Sequence, residues 1–155
     1  MKFSAKEDIA APIASVFAVL EDFDVVERAA MRRGVEVSRQ DSDSGAAQGT
    51  HWTARFDFRG KPRESSIALS SVSAPETLVF DATTGGLGSQ VQLDLVALNP
   101  ALTRLSMTAE LKPHTLAARL MVQSLRLAKG SVEKRFRARF GDAARLIEAR
   151  AKGLS

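Results

Sequence analysis

The stretch THWTARFDFRGKPRESSIAL (residues 50–69) alternates apolar and polar side chains, and this alternation decides the class of fold. Its first apolar positions are Trp52, Ala54, Phe56 and Phe58. Because successive side chains of a β-strand point to opposite faces, the pattern predicts a strand with one dry face and one wet face. The segment RGKP supplies a turn, and a second strand that carries Ile67 and Leu69 follows it.

The size and composition of the chain are typical of one globular domain. It has 155 residues, of which 45% are hydrophobic, and we expect one domain over residues 1–155. A chain of this length can bury enough surface to fold without disulfides or a metal. The sequence contains no cysteine. This excludes disulfides, cysteine-ligated metals and a thiol nucleophile.

The amino-terminal segment MKFSAKEDIAAP does not resemble a secretory signal. Glu7 and Asp8 stand where such a signal needs an uninterrupted apolar run. No segment of the sequence reaches the roughly 18 apolar residues of a membrane-spanning helix. We therefore expect a cytoplasmic protein.

Two short helices are predicted after a first strand over residues 2–9. Pro12 suits the beginning of the first helix, because the missing N–H of proline needs no partner there. The apolar positions of this helix recur at helical spacing and are Ile13, Val16, Phe17 and Leu20. The second helix spans residues 24–33 and ends at Gly34, a residue typical of the position after a helix.

A meander of about six strands is predicted in the middle of the chain. Val35 and Val37 mark a short strand, and a loop over residues 42–49 follows it. The turns between later strands lie at residues 59–62, 73–77, 83–89 and 99–103. Pro113 ends the last strand. Together with the first strand, this makes about seven strands in an antiparallel sheet.

A long C-terminal helix is predicted from Thr115 to about Lys152, a segment without proline. Its apolar stripe consists of Leu125, Val132, Phe136, Phe140, Ala143 and Ile147. Gly130 and Gly141 weaken the helix and favour a bend. Because a single-layer sheet with one apolar face must be covered, we expect the sheet to curve around this helix in an α+β fold.

The order of elements and two sequence stretches resemble the START-related superfamily, also called SRPBCC. The stretches are IAAPIASVFAVLEDFD (residues 9–24) and GTHWTARFDFRGKPRE (residues 49–64). The resemblance implies a helix-grip fold, in which the sheet wraps the last helix and leaves a cavity between them. Members bind lipids, sterols, polyketides, quinones or hormones, and some catalyse ring closure or dehydration. The stretch FDVVERAAMRRG (residues 23–34) departs from the aromatic-rich segment of commoner members, which forms one lip of the cavity.

This fold predicts which apolar side chains border a cavity. The sheet candidates are Trp52, Phe56, Ile67, Leu69, Leu93, Leu95, Leu105 and Met107. The helix candidates opposite them are Met121, Leu125, Phe136 and Phe140. The pattern leaves open whether the two sets pack solidly or enclose a pocket, since ligand pockets are themselves mostly apolar.

Polar candidates for chemistry are few. His51 and His114 are 63 residues apart, and neither has a second ligand at helical or strand spacing. We therefore expect no metal site, and no motif indicates a cofactor. His51 lies out of phase with the aromatic face, and as a general base it would have to face inward. Arg139, near the edge of the apolar stripe, could reach a ligand carboxylate or could simply be a surface arginine.

The positive charge belongs to the C-terminal segment. Residues 115–155 hold 10 Lys+Arg and 3 Asp+Glu, whereas residues 1–114 hold 12 and 15. If this segment forms one continuous helix, six basic side chains lie within one sector of about 100° around the helix axis. This basic sector consists of Arg119, Arg126, Lys134, Arg137, Arg145 and Lys152. This basic sector could meet an anionic membrane surface or an acidic protein, or be an ordinary solvated face. No aromatic residue lies within this sector of the helix, which argues against nucleic acid as a partner.

Three functions are compatible with the sequence. The first is binding of a hydrophobic small molecule between the sheet and the C-terminal helix. The second is a cyclase or dehydrase of the polyketide type, which needs an inward-facing acid–base pair. The third is docking of the basic helix on a membrane or protein. The first function requires the fewest polar side chains at defined positions. The identity of the ligand, the presence of catalysis and the oligomeric state do not follow from the sequence.

Overall fold

The computed structural model describes residues 1–41 and 47–154. Its elements are β1 (Lys2–Ile9), α1 (Ile13–Leu20), α2 (Phe23–Arg32), β2 (Glu36–Gln40), β3 (His51–Phe58), β4 (Lys61–Ser73), β5 (Thr77–Thr84), β6 (Leu87–Asn99), β7 (Leu102–Pro113), α3 (Leu116–Leu127) and α4 (Lys129–Gly153). The predicted order of strand, two short helices, meander and C-terminal helix is confirmed. Most of the loop predicted over residues 42–49 lies outside the described residues.

The strands form one antiparallel sheet in the order β1-β7-β6-β5-β4-β3-β2. From β2 to β7 each strand pairs with its neighbour in the chain, as expected for a meander. β1 pairs with β7, with Lys2 opposite Glu110 and Ile9 opposite Thr103. This curved sheet, together with the long C-terminal helix, confirms the predicted α+β helix-grip class.

Local sequence signals set the ends of several elements. Pro12 caps the beginning of α1 with an extended backbone. Gly34 follows α2 with a φ of 86°, a left-handed conformation that glycine adopts without strain. Arg59 and Gly60 connect β3 to β4 with φ values of 53° and 74°, which are the signs of a two-residue hairpin turn.

The core lies between the inner face of the sheet and helices α1 and α4. The fully buried sheet residues include Ile9, Leu69, Leu78 and Leu105, which are at most 1% exposed. Helix α1 contributes Val16, Phe17, Val19 and Leu20, and α4 contributes Phe140, Ala144 and Ala151. Because α1 lies against both the sheet and α4, it holds the long helix in place over one end of the sheet.

The C-terminal helix is interrupted, in contrast to the continuous helix predicted. Helix α3 ends at Leu127, Ala128 leaves the helical conformation, and α4 begins at Lys129. The break lies next to Gly130, which removes a side chain from the first turn of α4. Helix α3 lies against β7, whereas α4 lies against β1 and α1. The six basic residues predicted in one sector are therefore divided between two helices.

Candidate functional site

An apolar cavity of about 310 Å³ lies between α2 and the half of the sheet that α4 does not cover. Helix α2 contributes Phe23, Val26, Glu27 and Ala30 to its lining. The sheet side is formed by Val37, Trp52, Ala54, Ile67, Phe80 and Leu93, and Leu20 of α1 and Val35 complete the wall. The volume falls at the lower end of the range for small-molecule sites, and the predominantly apolar lining is typical of them.

Trp52, the only tryptophan in the chain, is the central side chain of this cavity. Its ring meets Phe23 edge-on, with 5.0 Å between centroids, and lies 6.0 Å from Phe80. Trp52 is 7% exposed. Edge-to-face pairs of this kind fix ring orientation and add stability beyond the buried area. The Phe23–Trp52 contact therefore holds the first turn of α2 against the sheet.

Polar contacts hold the rest of α2 in place. The guanidinium of Arg39 on β2 lies 2.9 Å from Asp24 and 3.2 Å from Glu27, and 5.7 Å from the centre of the Phe23 ring. Asp22 caps the helix by accepting a hydrogen bond from the backbone N–H of Val25. All ten residues of α2 are described, and none of them is fully buried. Helix α2 is thus a cover held by ion pairs and one aromatic contact.

Glu27 is the one titratable side chain among the described residues that line this cavity. The side chain is 15% exposed. Its Oε2 atom is buried and, although Arg39 is near, receives no aligned hydrogen bond from the described residues. The charge of Arg39 offsets the cost of burying this oxygen, and the oxygen still has the capacity to accept a hydrogen bond from a ligand.

Glu27 and Arg39 were not predicted as site residues, although the sequence around each contains a local signal. Arg39 follows Val35 and Val37 at a spacing of two, which places it on the inner face of β2. Glu27 follows Phe23 at a spacing of four, which places both on one side of α2.

A second apolar cleft, of about 520 Å³, separates α1 and α2 from α4. Its walls include Val25 and Ala29 on α2 and Ile147 on α4. Leu20 and Val26 border both this cleft and the cavity of Trp52. Helix α2 therefore separates two apolar spaces, and its residues Ala29 and Ala30 face one each.

The predicted sheet candidates occupy three different environments. Trp52, Ile67 and Leu93 line the apolar cavity. Leu69, Leu95 and Leu105 are buried in the core, and Met107 packs against them. Phe56 instead lines a cleft of mixed polarity together with Arg55, Asp57 and Arg63.

The predicted helix candidates do not lie opposite the Trp52 cavity. Phe140 is buried in the core, and Phe136 meets Phe3 of β1 with 5.7 Å between ring centroids. Leu125 is half-buried, and Met121 lines a separate cleft near the hairpin turns. Helix α2 covers one side of the cavity, because α4 rests on β1 and α1 at the other end of the sheet.

The polar candidates lie at the surface. His51 and Arg139 are exposed, and neither belongs to the lining of the Trp52 cavity. Arg55 and Glu64 form a cross-strand ion pair, with 3.0 Å between Nε and Oε2. Arg63 does not share the wet face with them, because it pairs opposite Phe56 on the inner face. Its Nε atom is buried and has no hydrogen-bond partner among the described residues.

The clearest pKa shifts of carboxylates belong to surface contacts and not to the cavity. The hydrogen bond from the Gln90 side chain is the main cause that lowers the pKa of Asp81. The pKa of Glu148 is lowered mainly by the backbone N–H of Ala10, which donates to its carboxylate at 2.8 Å. Both pairs stabilise the fold and give no indication of catalysis.

Ion pairing changes the character of the predicted basic sector. Arg145 lies 3.2 Å from Glu148 and 3.5 Å from Glu7, and Lys152 lies 3.9 Å from Glu148. These pairs partly neutralise the α4 end of the sector. No ion pair is present for Arg119, Arg126, Lys134 or Arg137 in the described part of the chain.

Two features are absent from the described residues. No helix within residues 1–41 and 47–154 is long and apolar enough to cross a membrane. The same residues contain no cluster of three or more metal-ligating side chains in position to hold an ion.

Solved structures of other proteins share this fold. The protein TTHA0849 from Thermus thermophilus has a TM-score of 0.67 at 14% identity, with 100% of this chain and 99% of that chain covered. The Zhui aromatase/cyclase from Streptomyces sp. R1128 has a TM-score of 0.66 at 14% identity, with 98% and 93% covered.

A START superfamily protein from Mycobacterium smegmatis has a TM-score of 0.58 at 12% identity, with 86% of this chain and 95% of that chain covered. No protein-family model matches the sequence, and no curated protein matches it. At these identities the likeness concerns the fold. The chain therefore has the helix-grip fold of the START-related (SRPBCC) proteins.

Proposed function

We propose that this protein binds a hydrophobic small molecule in the cavity between α2 and the sheet. The observation that carries the proposal is the cavity of about 310 Å³ around Trp52, whose lining is apolar except for Glu27. A solid core would have no such space, because protein interiors are normally packed to the density of organic crystals.

The names of proteins with similar folds support a small organic ligand. They include an aromatase/cyclase from Streptomyces sp. R1128 and a norcoclaurine synthase from Thalictrum flavum, the latter with a TM-score of 0.64 at 12% identity and 81% of this chain and 82% of that chain covered. The position of the cavity differs from the one expected, since α2 and not the C-terminal helix provides its cover.

The lining indicates the chemistry of the ligand. Phe23, Trp52 and Phe80 offer aromatic faces, which favours a flat ring system over a flexible chain. The Oε2 atom of Glu27 is ion-paired with Arg39 but receives no aligned hydrogen bond, so it can accept one from a hydroxyl group on the ligand. The volume suits a compact polyketide- or quinone-like molecule better than a long-chain lipid.

Catalysis has weaker support than binding. A cyclase needs an acid and a base that face the ligand. His51, the general-base candidate of the sequence, is exposed, and so are the carboxylates of Asp57, Glu64 and Asp81. Glu27 is the one ionisable side chain among the described residues that line the cavity, and a single such group does not make an acid–base pair.

Native mass spectrometry of the protein purified from its own source tests the proposal. A discrete additional mass, extracted as one aromatic or quinone-like compound, is the expected result. An apo mass alone does not decide the matter, so a binding titration with a defined probe is needed as well.

The neutral fluorophore N-phenyl-1-naphthylamine is a suitable probe, because Trp52 can transfer excitation energy to it. The expected result is saturable quenching of Trp52 emission. Ala30→Leu should weaken binding at least tenfold, since Ala30 lines the cavity. The matched control is Ala29→Leu, which points into the other cleft and should leave binding unchanged. Equal affinities for both variants would contradict the proposed site.

A further inference from the structure

Helix α3 exposes a stripe of three leucines to solvent. Leu116, Leu120 and Leu127 are 73%, 56% and 92% exposed. At 3.6 residues per turn they lie within about 40° of one another, so they share one face of the helix, on which the exposed Gln123 stands between Leu120 and Leu127. The opposite face packs on the domain through Ala118 and Val122. We call Leu116, Leu120 and Leu127 the leucine stripe.

Cations flank the leucine stripe on both sides. Arg119 and Arg126 lie about 80–100° from its centre, both in the same direction around the helix. On the other side, Leu120 lines a cleft whose charged residues are Arg59, Lys61, Arg63 and Glu64, so that cations outnumber the one carboxylate. The sequence contains no acidic residue between Glu110 and Glu133. The surface around the stripe is therefore positive.

The combination identifies the partner by its chemistry. Exposed apolar surface that is contiguous and bordered by polar residues marks an interaction site. A helix with an apolar face and Arg or Lys beside it is the pattern of segments that lie in the interface of a lipid bilayer. The arginines then meet lipid phosphates while the leucines enter the boundary with the acyl chains.

Two other occupants fit less well. A symmetric contact with a second copy would bring Arg119 and Arg126 of both chains together, with no carboxylate on α3 to offset the repulsion. A protein partner would be expected to engage Trp, Tyr or a pocket, whereas this face is a convex row of leucines. An anionic bilayer matches both the positive charge and the convex shape of this face of α3.

We propose that α3 docks this protein on anionic lipid bilayers through the leucine stripe. The proposal does not depend on the Trp52 cavity, because none of the three leucines lines it. It also differs from docking through the whole basic sector, since the α4 half of that sector carries ion pairs and no exposed leucine row.

Vesicle co-sedimentation of the full chain tests the proposal. The protein should bind vesicles of phosphatidylcholine and phosphatidylglycerol, and should not bind phosphatidylcholine alone. Raising the salt concentration should release it. The double variant Arg119→Gln/Arg126→Gln should bind about 30-fold more weakly, from roughly fivefold for each cation near an anionic surface. Leu116→Ser/Leu127→Ser should reduce binding at least tenfold.

Matched controls lie on α4. Lys134→Gln/Arg137→Gln removes the same charge, and Leu146→Ser removes a leucine that is 53% exposed outside the stripe. Both should bind vesicles within about twofold of the wild type. All substituted residues are exposed, so circular dichroism should show folded proteins throughout.

Several outcomes would overturn the proposal. Absence of binding to anionic vesicles would do so, as would equal losses in the α3 and α4 variants. Binding to poly-L-glutamate that is as tight as binding to vesicles and insensitive to the leucine substitutions would indicate a general cation patch. A dimer in light scattering that dissociates in Leu116→Ser/Leu127→Ser would assign the stripe to a second copy.

Discussion

Replacing Ala30 by leucine should stabilise the protein and impair ligand binding at the same time. Ala30 faces the apolar cavity from α2, so a larger side chain there enters empty space. Alanine and leucine both favour helix, so the change in helix propensity is small. The effect therefore reports on the cavity itself.

The magnitude follows from the atoms added. Leucine adds three carbons to Ala30, and at about 0.8 kcal/mol for each buried carbon their transfer from water contributes about 2.4 kcal/mol. Loss of leucine rotamer freedom subtracts about 0.5–1 kcal/mol. The net gain of about 1.5 kcal/mol corresponds to an increase in Tm of about 3–6 °C for a chain of this length.

Thermal and urea unfolding followed by circular dichroism measure this change. Ala14→Leu on α1 is the control for a general effect of leucine, because Ala14 is exposed and should give a change near zero. A destabilised Ala30→Leu protein would refute the reasoning, since it would mean that the space is already filled. A stabilised protein with unchanged probe affinity would place the ligand elsewhere.

Three further changes test contacts outside the cavity. Thr103→Val removes the buried hydrogen bond to the Ala11 carbonyl, 2.8 Å long, and should lower the free energy of unfolding in urea by about 1–3 kcal/mol. Glu148→Gln should destabilise the protein at neutral pH but not in acid. The pKa of Glu148 in the folded protein lies below its ordinary value of 4.5, so the ionised carboxylate stabilises the fold above that range. This stabilisation is lost as the pH falls through the folded pKa. Arg59→Asn relieves the left-handed φ of 53° and should raise the unfolding free energy by about 1 kcal/mol, read from thermal melts.

Each of these has a result that would contradict it. Equal stability of Thr103→Val and wild type would show that another group satisfies the Ala11 carbonyl. A Glu148→Gln difference that persists at pH 2 would separate its effect from ionisation. Destabilisation by Arg59→Asn would show that a contact of the arginine side chain stabilises the fold by more than the left-handed backbone at this residue destabilises it.

Local patterns determined the elements of this fold. Strands β3 to β7 follow from alternation with a period of two, and α1 from apolar residues at helical spacing. Pro12, Gly34 and Gly60 end or begin elements for backbone reasons that do not depend on distant parts of the chain. This local consistency is why the resemblance to the START-related fold was visible in the sequence.

The alternation of apolar and polar residues predicted the face of the sheet on which a side chain lies only within a single strand. The alternation placed Trp52 on the inner face and His51 on the outer face, as the structure has them. Arg63 lies in a stretch of charged and polar residues, where apolar alternation gives no signal for the face of the strand. Its register opposite Phe56, set by the tight turn at Arg59 and Gly60, places it on the inner face.

Only the tertiary structure decided what covers each part of the sheet. A periodic pattern shows that a face is apolar, but it does not show which other element will bury that face. The break at Ala128 directs α3 towards β7 and leaves α4 on β1 and α1, so α2 became the cover over Trp52. Which helix reaches which strand depends on packing between residues far apart in the chain, and that information is absent from any short segment of sequence.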